Sequence, residues 1–304
     1  MQANEIQRVL IVGAGTMGGQ IGLQCALHGL DVVMHDNSAE ALATAEKRLA
    51  MYSDNMVADG AITAALAQLT LNRLTYEPDL AQAAANVDLV SESVPEDPAL
   101  KGQVFAQLNV LCPGHTIFTT NTSTLLPSMF AEATGRPLQF AAFHFHLPVW
   151  VSNVVDVMGH PGTDPGVIDL LVDFAIRIGQ IPIVLDKEHS SYVFNTLLNA
   201  LSGAALELVA DGVTTPENVD RAWMGIMKTP IGPLGILDSV GLDTAWKITD
   251  FWANALDDAR LQANAALLKQ YVDAGHVGVK AGKGFYDYPN PAYQHPDFVT
   301  GRKD

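Results

Sequence analysis

The segment Arg8 to Gly18 constrains the fold more than any other part of the chain. An apolar run, Val9 to Val12, leads directly into Gly13, Gly15 and Gly18 in a G-x-G-x-x-G pattern, and a helical stretch follows. A strand that turns on glycine into a helix is typical of a dinucleotide-binding unit. The first glycine permits the tight turn, the second lets the backbone approach a pyrophosphate, and the third allows close packing of helix on strand. The pattern therefore predicts a nucleotide site at the start of this helix.

The residues around this turn indicate which nucleotide is bound. Thr16 and Met17 stand between the second and third glycines and are expected to contact it as well. Asp36 follows Gly18 by 18 residues, at the end of the second apolar run. A carboxylate there accepts hydrogen bonds from a ribose diol and repels a 2′-phosphate, so we predict NAD rather than NADP. The alternative is a different doubly wound fold in which Asp36 only caps a helix.

Short apolar runs alternate with amphipathic stretches up to Asp186, and helical patterns take over afterwards. This order predicts an α/β protein: a Rossmann-like, mostly parallel sheet domain at residues 1–186, followed by an all-α dimerisation domain at residues 187–304. Residues 38–87 read as mostly helical and are broken at Asp59-Gly60, so we expect a helical hairpin outside the sheet. The predicted strands are Val9 to Val12, Asp31 to His35, Asp88 to Val94, His115 to Thr120, Leu138 to Phe145, Asn153 to Met158 and Ile181 to Leu185.

Composition limits the class of partner. Among 304 residues, 17 Lys and Arg stand against 33 Asp and Glu, a net charge of -16, which repels nucleic acid and anionic membrane surfaces. Two cysteines, Cys25 and Cys112, exclude a disulfide framework and favour a reducing, cytoplasmic compartment. The chain shows neither a secretory signal pattern nor an uninterrupted apolar stretch of about 18 residues, so no membrane partner is expected.

The C-terminal segment carries Ala, Leu and Val on more than one helix face. Apolar residues on several faces indicate helices buried both within the domain and against a second copy, so we expect a homodimer. The alternative is a larger helical core in a monomer.

Three polar residues follow or end predicted strands and are candidates for chemistry: Ser123, His144 and Asp156. Imidazole titrates near neutral pH and takes a proton from an alcohol, while a nearby carboxylate stabilises the imidazolium that results. A single strand histidine also occurs as a packed, hydrogen-bonded residue, which is the alternative for His144. His146 would face the same side, as half of a metal site, but no third ligand stands at a suitable spacing, so no metal is predicted.

Seven motifs in one order resemble the L-3-hydroxyacyl-CoA dehydrogenase family, and they span almost the whole chain. That family oxidises an L-3-hydroxyacyl-CoA to the 3-ketoacyl-CoA with NAD, using a Rossmann-like domain and a helical dimerisation domain. The motifs are Gly13–Gly18, Glu92–Asp97, Asn121–Ser123, the His144 segment, Tyr192–Asn195, Pro230–Leu234 with Val240–Asp243, and Gly282–Tyr288.

The resemblance implies a role for individual residues. His144 would be the general acid/base and Asp156 its partner, with Ser123 and Asn195 hydrogen-bonding the oxygens of the substrate. The cofactor would also be lined by three further residues, Ser93, Glu96 and Lys101. Two alternatives stay open: Glu96 and Lys101 form a solvated charge pair on the first turns of a helix, and Asn195 caps or bridges helices where the domains join.

The chain departs from the family pattern in three places. Asp156 replaces a Glu and is shorter by one methylene, which weakens a hydrogen bond to imidazole unless the backbone compensates. Leu147 replaces the Asn of His-Phe-Phe-Asn-Pro, and His146 is a candidate to replace the lost donor. No Lys or Arg occurs between Tyr52 and Asn72, where the family places cations for the phosphates of CoA; Lys47, Arg48 and Arg73 only flank this region.

These observations leave three hypotheses. The first is an NAD-dependent dehydrogenase of a 3-hydroxyacyl-CoA, with a short-chain acyl group. The second keeps the chemistry but uses a free 3-hydroxy acid, as in the related gulonate and carnitine dehydrogenases. The third is a non-catalytic NAD-binding protein, which the changes at Leu147 and Asp156 would permit.

Overall fold

A computed structural model describes residues 1–301 of the chain. It divides into two compact units, Met1–Val193 and Phe194–Asp304. The boundary expected near residue 187 falls in the segment between the last strand and the long helix that begins at Tyr192.

The first unit is built on a mostly parallel sheet, as predicted. Its eight strands, counted over residues 1–301, lie in the order β3-β2-β1-β4-β5-β6-β7-β8. All neighbouring strands are parallel except β6 and β7. The inner strands that begin at Arg8, Leu89 and Ile117 are buried apart from Arg8, because helices cover both faces. The strands are β1 (Arg8–Val12), β2 (Asp31–His35), β3 (Leu74–Tyr76), β4 (Leu89–Glu92), β5 (Ile117–Thr120), β6 (Phe140–Phe145), β7 (Val154–Gly159) and β8 (Ile181–Leu185).

Helices pack on the two faces of this sheet over separate apolar cores. The second to sixth helices of this unit are each preceded by a Ser, Thr or Asp. The side-chain oxygen of that residue accepts a hydrogen bond from a backbone N–H of the first turn. The helices are α1 (Thr16–Leu27), α2 (Ala39–Ala58), α3 (Ala64–Leu71), α4 (Leu80–Ala84), α5 (Pro98–Leu111) and α6 (Pro165–Arg177).

The expectation that residues 38–87 lie outside the sheet is wrong in part. Helices α2 and α3 do turn back on each other near Gly60, which adopts a φ of +72°. The segment then returns as β3, which pairs with β2 as the edge strand of the sheet. β3 has three residues, and only Leu74 is buried. Such a short edge strand shows neither the alternation nor the apolar run by which strands are recognised.

The direction of β7 was not predicted from the sequence and decides the geometry near His144. Only residues 146–153 connect β6 to β7, whereas a parallel crossover needs a dozen or more. The two strands are therefore antiparallel, and His144 lies directly opposite Asp156. Asp156 accordingly sits within a strand and not at the carboxyl end of a parallel one.

The second unit contains helices and no named strand among the residues described. Its core includes Leu206, Leu234, Leu237 and Leu268. The helix Tyr192–Ala210 has a mean hydropathy of 1.4 and is long enough to cross a bilayer, but one such helix is weak evidence for a membrane span. The helices are α7 (Tyr192–Ala210), α8 (Pro216–Met227), α9 (Pro233–Val240), α10 (Leu242–Leu256) and α11 (Ala259–Asp273).

Candidate active site

The glycine turn after β1 has the shape that a bound dinucleotide needs. Gly13 has a φ of +103°, and a Cβ there would come within 2.6 Å of the carbonyl oxygen of Ser93. A Cβ at Gly18 would overlap with the carbonyl oxygen of Gly13. Both glycines are therefore required by packing within the protein. A Cβ at Gly15 would meet no protein atom within 4 Å, so a close approach by a ligand explains this glycine.

A cavity of about 630 Å³ opens beside this turn, and Gly13, Gly15, Asp36 and Ser93 line it. Asp36 accepts hydrogen bonds from the backbone N–H groups of Ala14 and Ser38, both at 3.0 Å. Each carboxylate oxygen keeps a lone pair for a ribose hydroxyl. The alternative helix-cap role is not observed, because Ser38 itself caps α2. The Ser93 hydroxyl is buried and lacks a partner among the residues described, as expected of a group that awaits a ligand.

The other residues predicted to bind the cofactor lie at the start of α1. Thr16 is exposed at its first position and Met17 is half-buried. No side chain within residues 1–301 caps this end of α1, so its N–H groups and positive dipole end face the cavity side of the turn. These features fit a pyrophosphate.

Arg48 of α2 also contacts the turn, which sequence reasoning missed. Its Nη2 donates to the carbonyl oxygens of Ala14 and Gly15, at 2.8 and 2.9 Å. The guanidinium therefore fixes the turn and places a positive charge next to it. Arg48 lies 30 residues after Gly18, and this spacing gives no sequence signal. Only the packing of α2 on α1 brings Arg48 to the glycine turn.

His144 lies between a carboxylate and a hydroxyl. Its Nδ1 is 3.0 Å from Asp156 Oδ2, and its Nε2 is 3.3 Å from Ser123 Oγ. Because a carboxylate only accepts, Nδ1 carries the proton in the neutral ring, and Nε2 is the basic nitrogen on the Ser123 side. Burial lowers the pKa of His144, while the hydrogen bond and charge of Asp156 oppose that shift. The ring is therefore neutral and able to accept a proton at pH 7.

The shorter Asp156 makes its bond because of the strand register. Directly opposed residues in an antiparallel pair have Cβ atoms about 4.5 to 5.5 Å apart, so a side chain of two carbons is enough. Burial alone would raise the pKa of Asp156, but hydrogen bonds from His144 and His146 outweigh it and hold the pKa below its usual range. Asp156 is thus a carboxylate.

The expectation that His146 has no further ligand group at hand is wrong. Its Nε2 lies 2.9 Å from the same Asp156 oxygen that His144 contacts. Two imidazoles and one carboxylate oxygen come together, all within 4.8 Å of one another. Asp156 lies 12 residues after His144 and 10 after His146, and this spacing hid the cluster from a search for regular ligand spacing.

Ser123 belongs to a loop that Glu96 holds in place. Glu96 Oε1 accepts from the Thr122 hydroxyl and from the backbone N–H groups of Ser123 and Thr124, the latter two at 3.0 Å. Although burial opposes it, hydrogen bonding from Thr122 and the charge of Lys101 keep the pKa of Glu96 below its usual range. Glu96 thus orders the loop on which Ser123 stands.

The predicted alternative of a solvated pair at Glu96 and Lys101 is wrong, because Lys101 is only 1% exposed. Its Nζ lies 2.7 Å from Glu92 Oε1, 3.4 Å from Glu96 Oε2 and 3.2 Å from the carbonyl oxygen of Val94. Burial raises the pKa of Glu92, against the charge of Lys101. Lys101 therefore neutralises a buried carboxylate at the end of β4, and it also borders a small cavity with Ser93 and Ser123.

Tyr192 is a further neighbour to which the sequence gave no role. Its ring stacks on His144 with centroids 4.5 Å apart and planes 4° from parallel, and its hydroxyl donates to the Thr122 carbonyl. The sequence signal that could have identified Tyr192 was its place at the start of the motif Tyr192–Asn195. Asn195 lies on α7 in the second unit, and its substrate contact stays a prediction.

The chain matches two family profiles over most of its length. The sequence profile for "3-hydroxyacyl-CoA dehydrogenase, NAD binding domain" matches residues 8–189, and that for "3-hydroxyacyl-CoA dehydrogenase, C-terminal domain" matches residues 192–288. The chain belongs to the 3-hydroxyacyl-CoA dehydrogenase family. It is an NAD-dependent oxidoreductase, and the hypothesis of a non-catalytic protein is set aside.

Family members of known name resemble the chain over nearly its full length. A probable 3-hydroxybutyryl-CoA dehydrogenase of Bacillus subtilis is 33% identical, over 93% of this chain and 98% of that protein. The structure of a diketoreductase that acts on dicarbonyl compounds is 41% identical with a TM-score of 0.86, covering 93% and 99% of the two chains. That of (S)-3-hydroxybutyryl-CoA dehydrogenase from Ralstonia eutropha is 30% identical with a TM-score of 0.84, covering 94% and 100%.

The three glycines yield a prediction that separates folding from cofactor binding. Gly18→Ala should destabilise the protein by about 1 to 3 kcal/mol, since its Cβ meets backbone. Gly15→Ala should unfold at the wild-type denaturant concentration, because its φ of -66° suits alanine, yet bind NAD roughly tenfold more weakly. Urea denaturation and NAD titration by calorimetry measure the two effects. Equal NAD affinity in wild type and Gly15→Ala would contradict the pyrophosphate assignment.

Lys101 yields a second prediction. Lys101→Met should cost about 3 to 5 kcal/mol of stability, because it leaves Glu92 charged and buried without a counter-charge. The loss should be larger at pH 8 than at pH 5, since burial raises the pKa of Glu92 and the protonated form avoids the penalty. Urea denaturation at both pH values measures it.

The control for this variant is the double change Glu92→Gln with Lys101→Met, which removes both charges and should recover most of the stability. Wild-type stability of Lys101→Met together with weaker NAD binding would instead assign Lys101 to the cofactor.

Proposed function

We propose that this dehydrogenase oxidises a short-chain L-3-hydroxyacyl-CoA to the 3-ketoacyl-CoA, with His144 as the general acid/base. The observation that carries the proposal is the position of the His144 ring, with Asp156 3.0 Å from Nδ1 and the Ser123 hydroxyl 3.3 Å from Nε2. The named activities of the Bacillus subtilis and Ralstonia eutropha relatives support the acyl-CoA substrate.

In this mechanism the substrate hydroxyl hydrogen-bonds to His144 Nε2 and to Ser123 Oγ. NAD, which the glycine turn and Asp36 would hold, would supply the acceptor for the hydride that leaves the carbon bearing this hydroxyl. His144 takes the hydroxyl proton on Nε2, and Asp156 stabilises the imidazolium through Nδ1. Glu96 fixes the backbone of Ser123, and the stacked Tyr192 excludes water from one face of the His144 ring. Asn195 is proposed to bind a further oxygen of the substrate.

The second candidate substrate class is a free 3-hydroxy acid or a dicarbonyl compound. The placement of the Lys and Arg side chains around the helical segment favours it. Of the three that flank the helical segment, Arg48 contacts the glycine turn and Arg73 pairs with Asp31. Lys47 is exposed on α2. A region so poor in cations offers little attraction to the phosphates of CoA. The diketoreductase relative points in the same direction.

A homodimer through the second unit is part of the proposal. Only 17% of the apolar window of α7 is buried within the chain. Large apolar side chains elsewhere in this unit are exposed as well, among them Ile226, Phe251 and Leu256. Exposed apolar surface of this extent is typical of a subunit contact.

His144→Gln should lower the turnover number at least about 10²-fold, the lower end of general acid/base contributions, and leave NAD affinity nearly intact. Asp156→Asn should lower it less, because the imidazole is still present although unsupported. Steady-state rates of NADH oxidation with acetoacetyl-CoA measure both. Turnover near wild type in His144→Gln would assign the proton transfer to another group.

The substrate class is tested by comparing acetoacetyl-CoA, acetoacetyl-pantetheine and free acetoacetate as oxidants of NADH. The proposal predicts the highest kcat/KM for acetoacetyl-CoA, because its nucleotide adds binding that the other two lack. Equal values for the CoA and pantetheine thioesters would show that the nucleotide is not bound. A higher value for free acetoacetate would favour the second candidate.

A further inference from the structure

Asp156 receives two hydrogen bonds on a single oxygen. His144 Nδ1 lies 3.0 Å and His146 Nε2 2.9 Å from Asp156 Oδ2, and the carboxylate side chain is 1% exposed. The His146 side chain is 13% exposed, and its ring meets the His144 ring edge to face, with centroids 4.7 Å apart and planes at 76°. The carboxylate is therefore held from two sides, and His144 accounts for only one of them.

Strand geometry explains why the two histidines use different nitrogens. His144 is directly opposite Asp156 in the antiparallel pair, so the nitrogen nearer its backbone, Nδ1, is sufficient. His146 lies just past the end of β6, two residues after His144, and its ring reaches Asp156 from there. Because His146 is not directly opposite Asp156, the nitrogen farther from its backbone, Nε2, makes the contact.

The position of His146 matters because Asp156 is short. The family pattern His-Phe-Phe-Asn-Pro has Phe where this chain has His146, and it pairs with a Glu where this chain has Asp156. A Phe donates no hydrogen bond. The two departures thus occur together, and in the structure they contact each other.

We propose that His146 is a positioning residue, which holds the short carboxylate of Asp156 in line with His144 Nδ1. This inference rests on the proposed role of His144 as the general acid/base. The donor at His146 Nε2 fixes the rotamer of Asp156, so that its Oδ2 stays within hydrogen-bond distance of His144 Nδ1. His146 contacts neither substrate nor cofactor in this role, and it acts through Asp156.

A metal ion between the same three side chains is the competing interpretation. The distances of 2.9 and 3.0 Å from Asp156 Oδ2 are those of ordinary N–H···O hydrogen bonds. A metal bound to His144 Nδ1 would also separate the imidazole from the carboxylate that is to stabilise its positive charge. We therefore favour hydrogen bonding.

The experiment compares His146→Phe, His146→Gln and the double variant His146→Phe with Asp156→Glu. His146→Phe keeps a ring of similar shape and should lower kcat by about tenfold, equivalent to 1.4 kcal/mol in the barrier, with KM and NAD affinity within about twofold of wild type. His146→Gln places an amide N–H near the same point and should keep most of the kcat. The double variant should recover kcat, because Glu at 156 does not need the second donor.

Several results would overturn the inference. The first is an unchanged kcat in His146→Phe, and the second is an equal loss of kcat in His146→Phe and His146→Gln. The third is that Asp156→Glu fails to recover the activity of His146→Phe although circular dichroism shows an intact fold. Loss of wild-type activity after dialysis against EDTA, restored by Zn²⁺, would establish the metal instead. The variant His144→Gln tests the proposed function separately. Activity in that variant would show that His144 is not the base, whatever the His146 variants do.

Discussion

The antiparallel pairing of β6 with β7 is the interaction on which the candidate site depends. It puts His144 and Asp156 in directly opposed positions, so the bond between them is set by backbone register and not by the reach of a flexible side chain. His146, the first residue of the connection that follows β6, contacts the same oxygen of Asp156. One short connection, residues 146–153, therefore fixes both contacts to the carboxylate and the orientation of the imidazole.

The carboxyl end of β4 ties the remaining parts of the site together. Ser93 packs its carbonyl against Gly13 of the nucleotide turn, while Glu92 pairs with Lys101 and accepts from the Thr120 hydroxyl. Lys101 in turn faces Glu96, which holds the loop of Ser123. The nucleotide turn and the Ser123 loop are thus anchored on the same strand end. A buried ion pair at this point costs desolvation, and Lys101 also contacts Glu96, so the pair joins the end of β4 to the loop of Ser123.

Much of this arrangement could be predicted from the sequence, and the physical reason for each limit is clear. The buried strands were visible as apolar runs, and Gly13, Ser93, Asp36 and Ser123 lie near strand ends, where parallel sheets bind ligands. β3 was missed because three residues, of which only Leu74 is buried, form no pattern. The short connection between β6 and β7 indicates that the two strands are antiparallel, but the sequence prediction did not use the length of this connection. The contacts of Lys101 and His146 depend on side-chain reach and register, which motif spacing does not encode.

The departures from the family pattern around His144 acquire a common explanation. Taken one at a time, a shortened carboxylate and an extra histidine both suggest a weakened site. In the structure the short carboxylate is directly opposite its partner, and the extra histidine donates to the same oxygen, so the charge that is to stabilise an imidazolium is still in place and is held more firmly. Hydrogen bonds from two imidazoles keep the pKa of Asp156 low despite its burial, which preserves that charge. The sequence changes are therefore consistent with a site that reaches the same electrostatic arrangement by a different set of side chains.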